Sequence, residues 1–273
     1  MTLMTAAILG LVQGLTEFLP ISSSGHLVLA ARLFGIEQPG LTFPIVVHLG
    51  TLLSVLIVYR RDVLGIVLAF WPGRKIDSDG LVLRRLGWLV VLGSIPAGLA
   101  GLLWKDFFEK TFNNPVLVAG LLLVTGLILF STGWIKRGQR LAGAMGMTDG
   151  LLIGIMQACA ILPGISRSGL TITAGMWRQL TPATAARYSF LLSIPAILGA
   201  AFLDMLDLLA TPGGLLMAKA QAGALTVGMA TSALAGLLAI VWLLRLLAQG
   251  RLSVFAWYCW GVGLTALVWL FLS

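Results

Sequence analysis

The chain has 273 residues, 59% hydrophobic and 10% charged, with a mean hydropathy of +1.00 and a formal net charge of +8. Soluble domains are charged at about a quarter of their positions, so this composition excludes a soluble globular protein and marks an integral membrane protein. The basic excess forms no patch interleaved with aromatics, which excludes nucleic-acid binding.

Met1 to Leu9 has no basic n-region, and the first apolar stretch runs into a polar motif, so no cleavable signal peptide is expected. Residues 3–34 carry Pro20, Ser22, Ser23, Ser24 and Gly25 in mid-segment. Unpaired backbone survives at membrane depth only inside protein or beside a wet cavity. The segment is therefore predicted to be a helix–break–helix hairpin that enters and leaves by one side. Spans of the usual length, about 20 residues, are expected near 43–59, 86–104 and 115–134. A second interrupted segment, 149–177, carries Pro163, Gly164, Ser166, Arg167, Ser168 and Gly169, and reads as a second hairpin. Spans near 183–203, 223–244 and 253–272 follow. Pro96 and Pro195 read as kinks within spans, and the tryptophans suit interface belts. Cys159 and Cys259 stand in apolar sequence without metal-ligand spacing and read as core filler, not a disulfide.

The two hairpins are copies. Gln13 to His26 and Gln157 to Gly169 share a Gln, a Leu-Pro and an Ile-Ser-x-Ser-Gly, the last at an offset of 144. Glu17 and His26 belong to the first copy alone, and Arg167 replaces Ser23 in the second. The spans repeat as well: Thr51-Leu-Leu-Ser54 answers Phe190-Leu-Leu-Ser193, and Gly98 to Leu103 answers Ala233 to Leu238. Each half, 1–134 and 135–273, then holds one re-entrant hairpin and three spans. An odd span number inverts the second half, so one all-α polytopic membrane domain is predicted, an inverted-topology repeat of six transmembrane helices and two hairpins.

The 60–85, 135–148 and 245–251 loops carry eleven Lys and Arg, against three in 105–114 and 204–222. The basic set is expected on the cytoplasmic side. The termini and the mouth of the first hairpin would then lie outside, and the second hairpin would enter from the cytoplasm.

Ser22, Ser23 and Ser24 open one helical stretch, His26 to Phe34, and Ser166 and Ser168 open another, Leu170 to Met176. Helix N-termini with serine caps suit phosphate oxygens. Two facing each other, with the planar donor fork of Arg167, suit linked phosphates. Glu17 stands in an apolar run, where an ionised carboxylate is costly and reads as functional; the alternative is a structural salt bridge to Arg167. Gln13 lies one turn earlier and shares its face. His26 follows Ser22 and Ser23 by four and three residues, a spacing that allows a Ser–His nucleophile and base; a lone hydrogen-bonded histidine is the plainer alternative. Thr171 could add a hydroxyl to the cradle. His48 has no polar company in sequence and reads as structural.

At these residues the chain resembles the undecaprenyl-diphosphatase family of the bacitracin-resistance type. Gln13-Gly-Leu-Thr-Glu17-Phe-Leu-Pro-Ile-Ser-Ser-Ser-Gly-His26 is similar to its acidic motif, and Pro163-Gly-Ile-Ser-Arg-Ser-Gly-Leu-Thr171 to its second motif. The resemblance implies a bacterial inner-membrane enzyme with its site open to the outer leaflet. Such an enzyme releases the terminal phosphate of undecaprenyl diphosphate, recycles the lipid carrier for peptidoglycan and confers bacitracin resistance. It implies a divalent cation, Mg²⁺ or Ca²⁺, with Glu17 as its ligand, and polyprenyl diphosphate and membrane lipids as partners; a homodimer is left open. Glu17, Ser23, His26 and Arg167 would be the catalytic residues. Gln13, Ser22, Ser166 and Thr171 would line the diphosphate site, with Ser168 beside them. Many members have Glu where this chain has Gln13, which moves any metal or proton role onto Glu17.

The expected mechanism is attack by Ser23 on the terminal phosphorus, with His26 or Glu17 taking its proton and water clearing the phosphoserine. The variant is direct attack by water, with His26 as base. The rival from another class is a lipid-phosphate transporter or flippase on the same inverted repeat.

Overall fold

The structure, a computed structural model, describes residues 1–33, 42–73, 77–136 and 138–272. Phe34, and Arg74, Lys75 and Arg137 among the eleven basic loop residues, lie outside the described residues. Those residues form thirteen α-helices and no strand. Six helices carry the spanning runs: α3 (Thr42–Val58), α5 (Ser78–Leu103), α7 (Pro115–Ser131), α10 (Pro182–Ala210), α12 (Ala222–Ala248) and α13 (Val254–Leu272). The side chains of Asp77, Asn114 and Thr181 accept from the N–H groups of Gly80, Leu117 and Thr184, and so start α5, α7 and α10. Pro115 and Pro182 open two of these helices, where a missing N–H costs nothing. Five of the six are long and apolar enough to cross a membrane, α7 with the 3-10 turn that extends it to Trp134. The sixth, α3, reaches that length with α4 (Arg60–Ala69), bent from it by 78°.

Three segments expected as loops contain helices: α4 within 60–85, α6 (Lys105–Phe112) within 105–114, and α11 (Gly214–Ala220) within 204–222. Two spans outrun their expected bounds, α5 starting at Ser78 and α10 continuing to Ala210. Charged residues end an apolar run without ending a helix, because long side chains at its ends reach water. Pro96 and Pro195 sit inside continuous helices.

The hairpins are α1 (Leu3–Phe18) with α2 (Ser23–Leu33), and α8 (Met147–Cys159) with α9 (Arg167–Trp177). Both helices of the second hairpin start 144 residues after those of the first. In that frame α1 outlasts α8 by three residues, and the extra turn carries Glu17. Each hairpin leans on the second span of the other half, α1 on α12 and α8 on α5. Small residues allow it: a Cβ on Gly14 would lie 2.4 Å from the Ser232 carbonyl oxygen, and one on Gly154 2.3 Å from that of Gly93. The helices α3 and α10 meet between them, and α7 pairs with α13.

Polar contacts sort the connections into two ends. Arg85 donates to the Gly143 carbonyl at 3.1 Å, which joins the 60–85 and 135–148 segments, and Arg187 pairs with Asp62, which ties the start of α10 to the same end. Lys105 Nζ lies 2.6 Å from Asp207 Oδ2, joining the far end of α5 to that of α10. At the mouth of α8, Asp149 accepts from Arg140 Nη2 (2.6 Å), Arg178 Nε (2.7 Å) and the Gly146 N–H (2.8 Å). Burial alone would raise its pKa; the hydrogen bonds from Arg140, Gly146 and Arg178 outweigh that and bring it down to about 2. Cys259 is buried with Sγ 3.8 Å from the Pro20 carbonyl oxygen, but Cys159 is exposed, which corrects its reading as core filler. Both thiols are free.

Candidate active site

The two hairpin turns meet. Ser22 Oγ accepts from the Gly25 N–H of its own turn (3.3 Å) and from the Gly164 N–H of the other (3.2 Å). Ser166 Oγ repeats the local bond with the Gly169 N–H at 3.1 Å, and Ser168 Oγ donates back across to the Leu19 carbonyl at 3.3 Å. Thr125 of α7 holds the second turn, donating to the Gly164 carbonyl (2.8 Å) and accepting from the Ser166 N–H (3.1 Å). Ser22 has φ +68°, a left-handed conformation that is strained for a non-glycine residue. It starts α2 at Ser23 and leaves the Ser23 hydroxyl beside the end of α1.

Glu17 is the hub. Its Oε2 accepts from Ser23 Oγ at 2.6 Å and from Gln13 Nε2 at 3.0 Å, and its Oε1 accepts from Arg167 Nη2 at 2.6 Å. The Glu17 side chain is 7% exposed and that of Arg167 15%. Taking such a pair out of water costs several kcal/mol, about, unless other hydrogen bonds complete it, and Ser23 and Gln13 supply them. Arg167 Nη1 and Gln13 Oε1 are buried with no protein partner. A buried donor left unpaired is costly; here one arm of a guanidinium holds the carboxylate while the other is available to an oxyanion.

The helical spacing offered His26 as the partner of Ser23, with Glu17 as the other group that could take its proton. The structure pairs Ser23 with Glu17 instead, because the turn at Ser22 points the hydroxyl back to α1. The His26 Nδ1 bonds to the Ser22 carbonyl oxygen at 2.8 Å, and its Nε2 meets the Tyr258 hydroxyl at 2.9 Å. Thr171 is fully buried, its hydroxyl donating to the Arg167 carbonyl (2.7 Å) and touching Ser189 Oγ (2.6 Å). It supports the first turn of α9 and does not face Glu17. Ser166 and Ser168 likewise serve the turns.

His48, read as structural, belongs to the site. Its Nδ1 donates to the Pro44 carbonyl at 2.8 Å, which aims Nε2 at Glu17 Oε2, 3.8 Å away. When protonated it sets a second positive charge beside the carboxylate, with Asp204 of α10 also in electrostatic reach. The Pro44 carbonyl one turn earlier fixes the ring, but nothing in the local sequence marks the contact, which needs α1 against α3. Gln157, equivalent to Gln13, faces no carboxylate, since Ile161 stands near the place of Glu17, and neither amide atom has a partner.

Among the described residues no group of three or more His, Cys, Asp or Glu converges as a metal centre. Hard divalent cations bind oxygen and often keep only one or two carboxylates, with substrate phosphates completing the shell. The Glu17 carboxylate and the unpartnered Gln13 Oε1, one turn apart on α1, are donors of that kind.

A family model described as Bacitracin resistance protein BacA matches residues 6–265. An undecaprenyl-diphosphatase of Desulforapulum autotrophicum is 40% identical over 98% of both chains. One from Myxococcus xanthus is 43% identical over 98% of this chain and 89% of its own, and one from Carboxydothermus hydrogenoformans 42% identical over 96% and 95%.

Proposed function

This chain belongs to the bacitracin resistance protein BacA family, and on that footing we propose that the Glu17–Ser23–Arg167 cluster is where it acts. The chain is an undecaprenyl-diphosphatase, a multi-pass membrane hydrolase that dephosphorylates undecaprenyl diphosphate. The observation that carries the site is the Ser23 hydroxyl 2.6 Å from Glu17 Oε2, beside a guanidinium arm without a protein partner.

In this reading Arg167 Nη1 and the N-terminal turns of α2 and α9 receive the phosphate oxygens. Glu17 takes the Ser23 proton as Oγ attacks the terminal phosphorus. The bond from that phosphorus to the bridging oxygen breaks, and undecaprenyl phosphate leaves with its electrons. Water then attacks the phosphoserine and yields its proton to His26. Ser23 recovers its proton from Glu17 as inorganic phosphate departs. Positioning and charge neutralisation supply most of such a rate enhancement. Glu17 and Gln13 Oε1 would hold Mg²⁺ or Ca²⁺, whose charge would offset that of the phosphates.

The same proposal sets the protein in the bacterial inner membrane with this site open to the outer leaflet, returning the lipid carrier to envelope synthesis. The eleven-to-three basic bias and the two sets of end contacts support that sidedness. The shared offset of 144 and the exchanged packing of α1 on α12 and α8 on α5 support an inverted repeat.

Phosphate release from undecaprenyl diphosphate by detergent-purified protein tests the reading, because no second compartment exists for transport. Arg167→Ala and Glu17→Ala are expected to fall to background. Near-full activity in Arg167→Ala would contradict the site.

A further inference from the structure

The two hydrogen bonds of His26 decide where its proton lies. The Ser22 carbonyl can only accept, so Nδ1, at 2.8 Å, carries the N–H. In the neutral ring Nε2 is then the acceptor, and the Tyr258 hydroxyl at 2.9 Å donates to it. Tyr258 comes from α13, and its ring lies nearly parallel to the imidazole, with centroids 5.6 Å apart and planes 12° apart. The tyrosine is 45% exposed and His26 less so, which makes Tyr258 the outer of the two.

The lone pair that His26 would use as a base is therefore already engaged by a phenol. We propose that Tyr258 is the outer member of a two-residue proton relay with His26. The attacking water gives its proton to the Tyr258 oxygen while the Tyr258 proton passes to Nε2. A neutral tyrosine and an imidazolium result, and the hydroxide oxygen becomes bonded to phosphorus. The tyrosine oxygen then accepts from the new Nε2–H, so the ring is held in both protonation states. Returning both protons by the same route resets the pair. The relay rests on the proposed role of His26 in clearing the phosphoserine, and it concerns that second step alone.

Tyr258→Phe removes the hydroxyl and keeps the ring stack. Rapid-quench kinetics on undecaprenyl diphosphate should show an unchanged burst of Ser23 phosphorylation. Steady-state turnover should fall at least about tenfold, short of the roughly hundredfold that full loss of acid–base assistance costs because His26 remains, with KM within about twofold. The ¹⁵N signal of His26 Nε2 should shift as it loses its hydrogen-bond donor, while Nδ1 keeps the proton held by the Ser22 carbonyl. Turnover within about twofold of the parent, or an unchanged Nε2 signal, would overturn the relay. A burst lost in step with turnover would also overturn it, since the hydroxyl would then serve the first step or the fold. A parent protein without a burst would remove the phosphoserine step and overturn the relay with it, whereas a parent burst with unchanged Tyr258→Phe turnover would overturn the relay alone. Tyr258→Leu, which also removes the ring, should lose no more than about threefold beyond Tyr258→Phe; a much larger further loss would mean that stacking, not proton transfer, is the contribution, and would overturn the relay.

Discussion

Arg167 Nη2 and Glu17 Oε1 lie 2.6 Å apart, though 150 residues separate them in the chain. That one contact ties the second hairpin to the first and leaves the other arm of the guanidinium without a partner. Replacing Arg167 by Ala should therefore lower phosphate release by at least about a hundredfold, the scale seen when a transition-state donor is lost. Arg167→Lys keeps the charge but not the fork and should recover only part of it. Steady-state assays in detergent compare the two, with a thermal melt to score the buried Glu17 left unpaired.

Ser23 donates to Glu17 Oε2 across 2.6 Å, and the proposed attack uses both in one proton transfer, so they should fail as a unit. Ser23→Ala and Glu17→Gln are each expected to cost turnover heavily, and the double variant little more than the worse single one. A double-mutant cycle on kcat measures this; fully additive losses would mean independent roles.

His48 is 34% exposed in its side chain and 3.8 Å from Glu17 Oε2. A partly screened charge at that distance contributes modestly. His48→Ala should lower kcat about threefold to tenfold, less than Arg167→Ala. If turnover is untouched, the ring serves packing against α1 only.

Asp149 lies outside this chemistry and anchors Arg140 and Arg178 at the mouth of α8. Its folded pKa of about 2 is below the usual carboxylate range. Its contribution to stability is present above its unfolded pKa and is lost as pH falls from about 4 toward 2. Asp149→Asn should melt lower at neutral pH and show less loss across that window, read by a fluorescence melt at stepped pH.

How much of this could be read from the chain follows from the range of each interaction. The spans are long apolar runs, so they are written locally. The helices α4, α6 and α11 mix charge with apolar residues at interfaces and look like loops by hydropathy. Glu17 and Arg167 stood out as charges in apolar sequence. His48 did not, because its relation to Glu17 exists only once α3 packs on α1. The pairing of Ser23 with Glu17 turns on a single left-handed residue, Ser22, which a helical spacing rule does not foresee. Tyr258 sits in an apolar segment 232 residues from His26, with nothing local to mark it.

The central claim is that Ser23, deprotonated by Glu17, becomes bonded to the terminal phosphorus. The most direct measurement is acid-quench trapping with undecaprenyl diphosphate labelled in its terminal phosphate, followed by mapping of the labelled residue. Label on Ser23, present in the parent, absent in Ser23→Ala and strongly reduced in Glu17→Gln, is the expected result. No labelled protein, together with near-normal turnover in Ser23→Ala, would contradict it.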